Sequence, residues 1–259
     1  MRNRSGSEKR MSEILIVDRS ESALALTLNR PAKRNALSRA LIAELTAQLE
    51  LAEADADVRS VVLSGAPPAF CAGLDLKEVA ASSATQAEHD ASHLLELFET
   101  IDQLSKPVIA AVRGAAVAGG AGLVSVCDIV VCGVSSAIGY PEIKRGLVAA
   151  IVMTYLRRLV GERHAKYLLL TGENLPAREA RALGLCNDVV ADDDVLPKAR
   201  EYAALFASYP PEALASTKRL LTRMRGLEHA AAIDEARRLN ASMRLSDESR
   251  AGIGQFFEK

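Results

Sequence analysis

Short apolar runs at residues 14–18 and 23–28 predict two β-strands, with Glu21 and Ser22 near the turn between them. The polar stretch 29–35 predicts a loop, after which Ser38 can cap a helix. Leu41, Leu45 and Leu49 fall four apart and so share one helical face. Residues 61–64 form a continuous apolar run suited to a buried strand, followed by a loop over 65–73. Helical spacing returns with Leu94, Leu95, Phe98 and Ile101 inside 91–104. Residues 107–112 predict a second buried strand, 114–122 are rich in Gly and Ala, and 128–132 predict a third apolar strand. Strands alternating with helices predict an α/β fold with parallel pairing.

Beyond Tyr155 the pattern changes. Residues 155–184 predict short helices, Gly184-Leu185-Cys186-Asn187 a step in the chain, and 189–191 a brief strand. From about residue 194 only helical patterns remain: Leu214, Lys218, Leu221 and Met224 on one stripe, then 230–239 and 248–257. The division expected is a loose tail over 1–11, with Met11 as an alternative start, a core over 12–195, and a helical region over 196–259.

The 259 residues carry a net charge of −1 with basic residues scattered, so charge gives no sign of a nucleic-acid partner. No apolar run reaches the ~18 residues of a membrane span, and the polar start lacks the apolar stretch of a secretory signal. A soluble, cytoplasmic protein without a membrane partner is the expectation. Cys71, Cys127, Cys132 and Cys186 show neither a CxxC pair nor metal spacing and read as buried thiols. His89 and His93 stand four apart but lack a Cys or Glu partner, so no metal site is expected; His164 and His229 lie in charged or helical stretches.

Candidate chemistry lies in two loops, 69–78 and 106–122, each following or containing a buried strand. Small residues let backbone N–H groups approach a ligand closely. A helix opening from such a loop adds a dipole favourable to negative charge. Two N–H groups converging on one oxygen make an oxyanion hole. Composition alone equally allows tight helix–strand packing. The loops match neither a phosphate P-loop nor GxGxxG.

Several ordered segments resemble signatures of the enoyl-CoA hydratase/isomerase (crotonase) family: Leu28-Asn29-Arg30-Pro31 with Asn35-Ala36-Leu37; Phe70-Cys71-Ala72-Gly73-Leu74-Asp75-Leu76-Lys77; Lys106-Pro107 through Cys127-Asp128; Pro141-Glu142-Ile143-Lys144-Arg145-Gly146-Leu147; Leu170-Thr171-Gly172-Glu173 with Gly184-Leu185; and the end from Asp247. The resemblance covers about residues 13–259. It implies a spiral of repeated ββα turns, a helical C-terminal trimerisation region, and homotrimers often paired as hexamers. It also implies an acyl-CoA thioester as substrate, with CoA part of that substrate rather than a cofactor. By position it puts the thioester oxygen between the N–H groups of Ala72 and Gly119. Gly73, Leu74 and Asp75 would line the CoA side, Lys33 or Arg34 would meet CoA phosphates, Lys259 would reach the adenine, and Tyr140 would face the acyl chain or pack.

Hydratases of this family usually carry two glutamates. One lies three residues after the second oxyanion donor, where this chain has Gly122; the other corresponds to Glu142. A lone carboxylate suffices to take a proton from C2 and deliver one at C4, whereas adding water divides more easily between two. The resemblance therefore implies Glu142 as proton shuttle and favours isomerisation of 3-enoyl-CoA to 2-enoyl-CoA. The alternatives are a true 2-enoyl-CoA hydratase, thioester hydrolysis or decarboxylation on the same oxyanion hole, and a non-catalytic acyl-CoA binder. Asp75 and Glu78 stand near enough in sequence to be considered as a second acid. No acid is found near Ala150, which disfavours dienoyl isomerisation.

Overall fold

The computed structural model describes residues 9–257 apart from Glu21. Among these, the strands in chain order are β1 (Lys9–Met11), β2 (Leu15–Ser20), β3 (Ala23–Leu28), β4 (Ser60–Gly65), β5 (Val108–Val112), β6 (Ala115–Val117), β7 (Ile129–Gly133), β8 (Ala137–Gly139), β9 (Asn174–Pro176) and β10 (Asp188–Val190). The helices are α1 (Arg39–Ala54), α2 (Leu76–Ala81), α3 (Ala84–Gln103), α4 (Gly119–Val126), α5 (Ala150–Thr171), α6 (Ala177–Ala182), α7 (Val195–Ala207), α8 (Pro211–Met224), α9 (His229–Met243) and α10 (Asp247–Phe257).

The larger sheet has the order β1-β2-β3-β4-β5-β7-β10. It is antiparallel at the β1-β2-β3 edge and parallel from β3 onward. β5 is buried on both faces, as expected of a central parallel strand without polar alternation. Val108, Ala110 and Val112 face the main core, while Ile109 and Ala111 join Val62 and Val131 against Val195, Ala199 and Ala203 of α7. A second, smaller sheet, β6-β8-β9, branches off beside the first. The α/β spiral and helical C-terminal region expected from the sequence are both present.

The stripe on α1 is buried at Leu41, Leu45 and Leu49, and Ser38 caps this helix by accepting the Leu41 N–H at 3.3 Å. Within the stretch read as a loose tail, residues 9–11 instead pair with β2 as an edge strand; residues 1–8 lie outside the described part. The segment 155–184, read as short helices, holds most of α5, broken at Gly161 by a left-handed φ of 72°, then β9 and the short helix α6. Lys218 anchors α8 to the core: its ammonium donates to Asp128 Oδ2 at 2.6 Å and to the carbonyls of Ile101 and Lys106. None of the described helices is long and apolar enough to cross a membrane.

Candidate active site

The first polar loop is tied down by Asn35, which is fully buried with φ 56°. Asn tolerates this left-handed backbone better than most residues. Its amide donates to the Ala66 and Ala69 carbonyls, both at 2.7 Å, and its Oδ1 accepts the Arg30 N–H at 2.8 Å. Arg30 in turn bonds Asp75 at 2.9 Å. Asp75 also accepts the Lys77 N–H at 3.1 Å, capping α2. The Arg30 hydrogen bond holds the Asp75 carboxyl below the usual carboxylate range. Asp75 borders the cavity described below, yet its hydrogen bonds make it a brace between loops rather than a second acid. Glu78 is likewise committed, accepting the Arg39 N–H at 2.8 Å at the start of α1.

Residues 71–75 run between two neighbours. Cys71 bonds the β6 strand through both its N–H and its carbonyl (3.1 Å to Ala115 O, 3.0 Å from Val117 N). On the other side Gly73 O accepts the Leu37 N–H at 2.8 Å and Asp75 N–H donates to Leu37 O at 2.9 Å. This geometry corrects the assignment of Ala72 as an oxyanion donor. The Ala72 N–H points into the first loop and donates to Arg34 O at 3.0 Å. In a parallel bridge through Leu74, the Gly73 carbonyl and Asp75 N–H face Leu37, so the Leu74 N–H turns the opposite way. There it meets Gly119: a Cβ added to Gly119 would stand 3.7 Å from Leu74 N and 3.6 Å from Gly73 Cα. Gly119 opens α4, where the first N–H groups have no partner inside the helix. The converging pair is therefore Leu74 and Gly119.

Two backbone features allow the close approach. Gly73 has φ 87°, and a Cβ there would fall 2.7 Å from the Ala118 Cβ. Ala118, just before α4, holds φ 53° and ψ −126°, strained for a residue with a side chain.

Glu142 comes from the 3₁₀ turn Pro141–Arg145. Pro141 presets its first position, and Gly146 ends it with φ 70°. One carboxyl oxygen of Glu142, Oε2, is buried without a hydrogen-bond partner among the described residues. Burial raises its pKa above the ordinary glutamate range, against weaker opposing pulls from its own N–H and from Arg145. Glu142 lines a cavity of about 650 Å³ together with Ala72, Leu74, Asp75, Gly119, Lys33 and Arg34. The walls beyond Glu142 are apolar, with Leu94, Val117, Leu147, Val148, Ile151 and Val152 among them.

Two expected residues do not line this cavity. Gly73 sits behind it as the packing point just described. Tyr140 is 1% exposed, with its hydroxyl 3.1 Å from Ser125 Oγ, so it is a core residue rather than a wall of the acyl site. Lys259 lies outside the described residues. The place of Gly122 is filled: an added Cβ would meet Phe98 Cζ at 2.5 Å, Phe98 Cε2 at 2.8 Å and Val152 Cγ2 at 2.9 Å. Phe98 itself is fully buried and packs edge-on against Tyr155. No sequence signal links Phe98 to Gly122, because they lie on different helices. Arg145 was also missed, although its spacing of three from Glu142 on a 3₁₀ turn would have revealed it. Among the described residues no cluster of His, Cys, Asp or Glu could hold a metal ion.

Two backbone N–H groups brought close together, with a buried carboxyl of raised pKa in the same cavity, are parts that can stabilise an enolate and move its proton. The model of a family described as enoyl-CoA hydratase/isomerase matches residues 18–259. A 2,3-dehydroadipyl-CoA hydratase of Escherichia coli is 36% identical over 250 residues, covering 96% of this chain and 97% of its own. Two enoyl-CoA hydratase crystal structures are similar throughout. That from Mycobacterium smegmatis has a TM-score of 0.92 at 34% identity and covers 95% of this chain and 97% of its own. That from Bacillus anthracis has a TM-score of 0.91 at 32% identity and covers 95% and 96%. On fold, site and sequence together, the chain belongs to the enoyl-CoA hydratase/isomerase family, whose enzymes act on acyl-CoA thioesters.

Proposed function

We propose that this enzyme moves the double bond of a 3-enoyl-CoA to the 2-position. The carrying observation is the unpartnered buried carboxyl oxygen of Glu142, which lines the cavity, together with Phe98, which in the core occupies the place a side chain at position 122 would need. The Leu74 and Gly119 N–H groups hold the thioester oxygen. As charge develops there, Glu142 takes a proton from C2, the electron pair spreads through the dienolate, and Glu142 returns a proton at C4. The thioester supplies its own acidity, so no separate cofactor is needed. Lys33 and Arg34 meet the CoA phosphates in this reading.

Product analysis by mass in heavy water tests it. A 3-enoyl-CoA should yield the 2-enoyl isomer with deuterium exchange and no added water. Addition of water to a 2-enoyl-CoA at a catalytic rate would overturn it in favour of hydration, the reading supported by the names of the similar enzymes. A homotrimer, alone or paired as a hexamer, completes the proposal. It is supported by exposed Leu221, Ile233 and Ile253 on the C-terminal helices and Leu245 in the turn between α9 and α10, apolar surface that association would cover.

A further inference from the structure

The charged residues around the cavity divide into two groups. Apart from Glu142, the acids are neutralised: Asp75 by Arg30, and Asp90 by a two-pronged bond from Arg39 (both 2.7 Å) together with Ser82 and Gln86. The cations are Lys33, Arg34, Lys77 and Arg145. Three of them sit on the β3–α1 loop and the first turn of α2, beside the residues assigned to CoA. Arg145 stands apart, on the 3₁₀ turn that carries Glu142.

The turn decides where Arg145 faces. Residues three apart eclipse on a 3₁₀ helix, so Glu142 and Arg145 share one edge, and both line the cavity. The intervening residues do not. Ile143 and Lys144 lie against Gly172, and Lys144 pairs with Glu173 at 3.6 Å. Arg145 makes no salt bridge among the described residues, and the carboxyl that feels its charge is Glu142 on the same turn. Next to it come Leu147, Val148 and Ile151, which offer a guanidinium nothing to bond. Three residues of 3₁₀ helix advance about 6 Å along the turn, so the two side chains start from backbone positions about that far apart.

We propose that Arg145 is a specificity residue that pairs with a carboxylate on the far part of the acyl chain, so that the preferred substrates are CoA thioesters of dicarboxylic acids. Arginine suits this role because its planar fork matches a carboxylate with two parallel hydrogen bonds. The inference rests on the acyl-CoA assignment but not on which reaction follows. A binding measurement on saturated thioesters, which carry no double bond to move or hydrate, therefore tests it separately.

Calorimetric titration should compare adipyl-CoA, hexanoyl-CoA and free CoA on the wild-type enzyme and on Arg145→Gln. A charge-assisted pair predicts about 10- to 100-fold tighter binding of adipyl-CoA than of hexanoyl-CoA, a ratio that collapses toward one in the variant. Arg145→Lys should recover part of it. Equal affinity for the two thioesters in the wild type would overturn the proposal. So would an equal loss for all three ligands in Arg145→Gln, which would place the guanidinium on CoA. If hexanoyl-CoA and adipyl-CoA bind no better than CoA, the acyl cavity itself is misassigned.

Discussion

The contact between Gly122 and Phe98 gives a double-mutant test with a change of sign. Gly122 lies inside α4 with helical backbone, so Gly→Ala alone should gain about 1 kcal/mol of helix propensity. The new methyl, however, would lie 2.5 Å from Phe98 Cζ and 2.9 Å from Val152 Cγ2, and overpacking of this kind costs about 1–3 kcal/mol. The net expectation for Gly122→Ala is a loss of up to about 2 kcal/mol. Phe98→Ala removes a fully buried ring at a cost of about 3–5 kcal/mol but clears most of the space. On that background Gly122→Ala should become neutral or stabilising by up to about 1 kcal/mol, with Val152 the remaining obstacle. Urea unfolding of the four proteins measures the coupling, expected at about 1–3 kcal/mol. Phe98→Leu serves as a milder partner should the alanine variant be too unstable. Additivity within about 0.5 kcal/mol would refute the packing described here, and with it the structural reason for a single-carboxylate site. The same cycle carries a functional arm. Gly122→Glu alone should not add hydration, because the side chain has no room; combined with Phe98→Leu or Phe98→Ala it should.

Glu142→Gln should lower turnover by about 10²–10⁴ while acyl-CoA binding persists, which calorimetry and rate assays together would establish. The same substitution should raise stability at neutral pH. Burial lifts the folded-state pKa of Glu142 above its unfolded value, so its contribution is intact below the unfolded pKa and is lost as pH rises through the folded one. The gain in melting temperature of Glu142→Gln over wild type should therefore grow across that window and vanish in acid. Asn35→Ala removes three buried hydrogen bonds and a residue suited to φ 56°, for an expected loss of about 3 kcal/mol or more in chemical denaturation. Lys218→Met removes the partner of Asp128, a residue that keeps solvent contact, and should cost about 1–2 kcal/mol in the same measurement, whereas a change near zero would show that α8 is held by other contacts.

What the sequence revealed follows from periodicity. The four-residue spacing on α1 and the unbroken apolar runs of β4 and β5 survive into the fold because burial alone dictates them. The small sheet was hidden: β6, β8 and β9 are three residues each, too short for any pattern to repeat. β1 was hidden for another reason, since the polar run Lys-Arg-Met looks like tail and becomes a strand only by pairing with β2. At the site, motif order located both loops and Glu142. It could not say which N–H points inward, and the choice of Ala72 over Leu74 failed there, because direction depends on a bridge to Leu37 thirty-seven residues away. For Tyr140 the sequence allows both an acyl-facing ring and a packed one, and the packed one is found, with its hydroxyl 3.1 Å from Ser125 Oγ in the core.

The proposed thioester grip at Leu74 and Gly119 consists of peptide atoms, held in place by bonds between other peptide atoms at Cys71, Ala115, Leu37 and Gly73. A point mutation exchanges side chains and leaves those atoms in the chain. The features on which the proposed reaction rests, the Glu142 carboxyl and the bulk of Phe98 over Gly122, are side chains. A gene encoding this scaffold can therefore trade one transformation for another by a pair of matched codon changes, while its descendants inherit the same backbone.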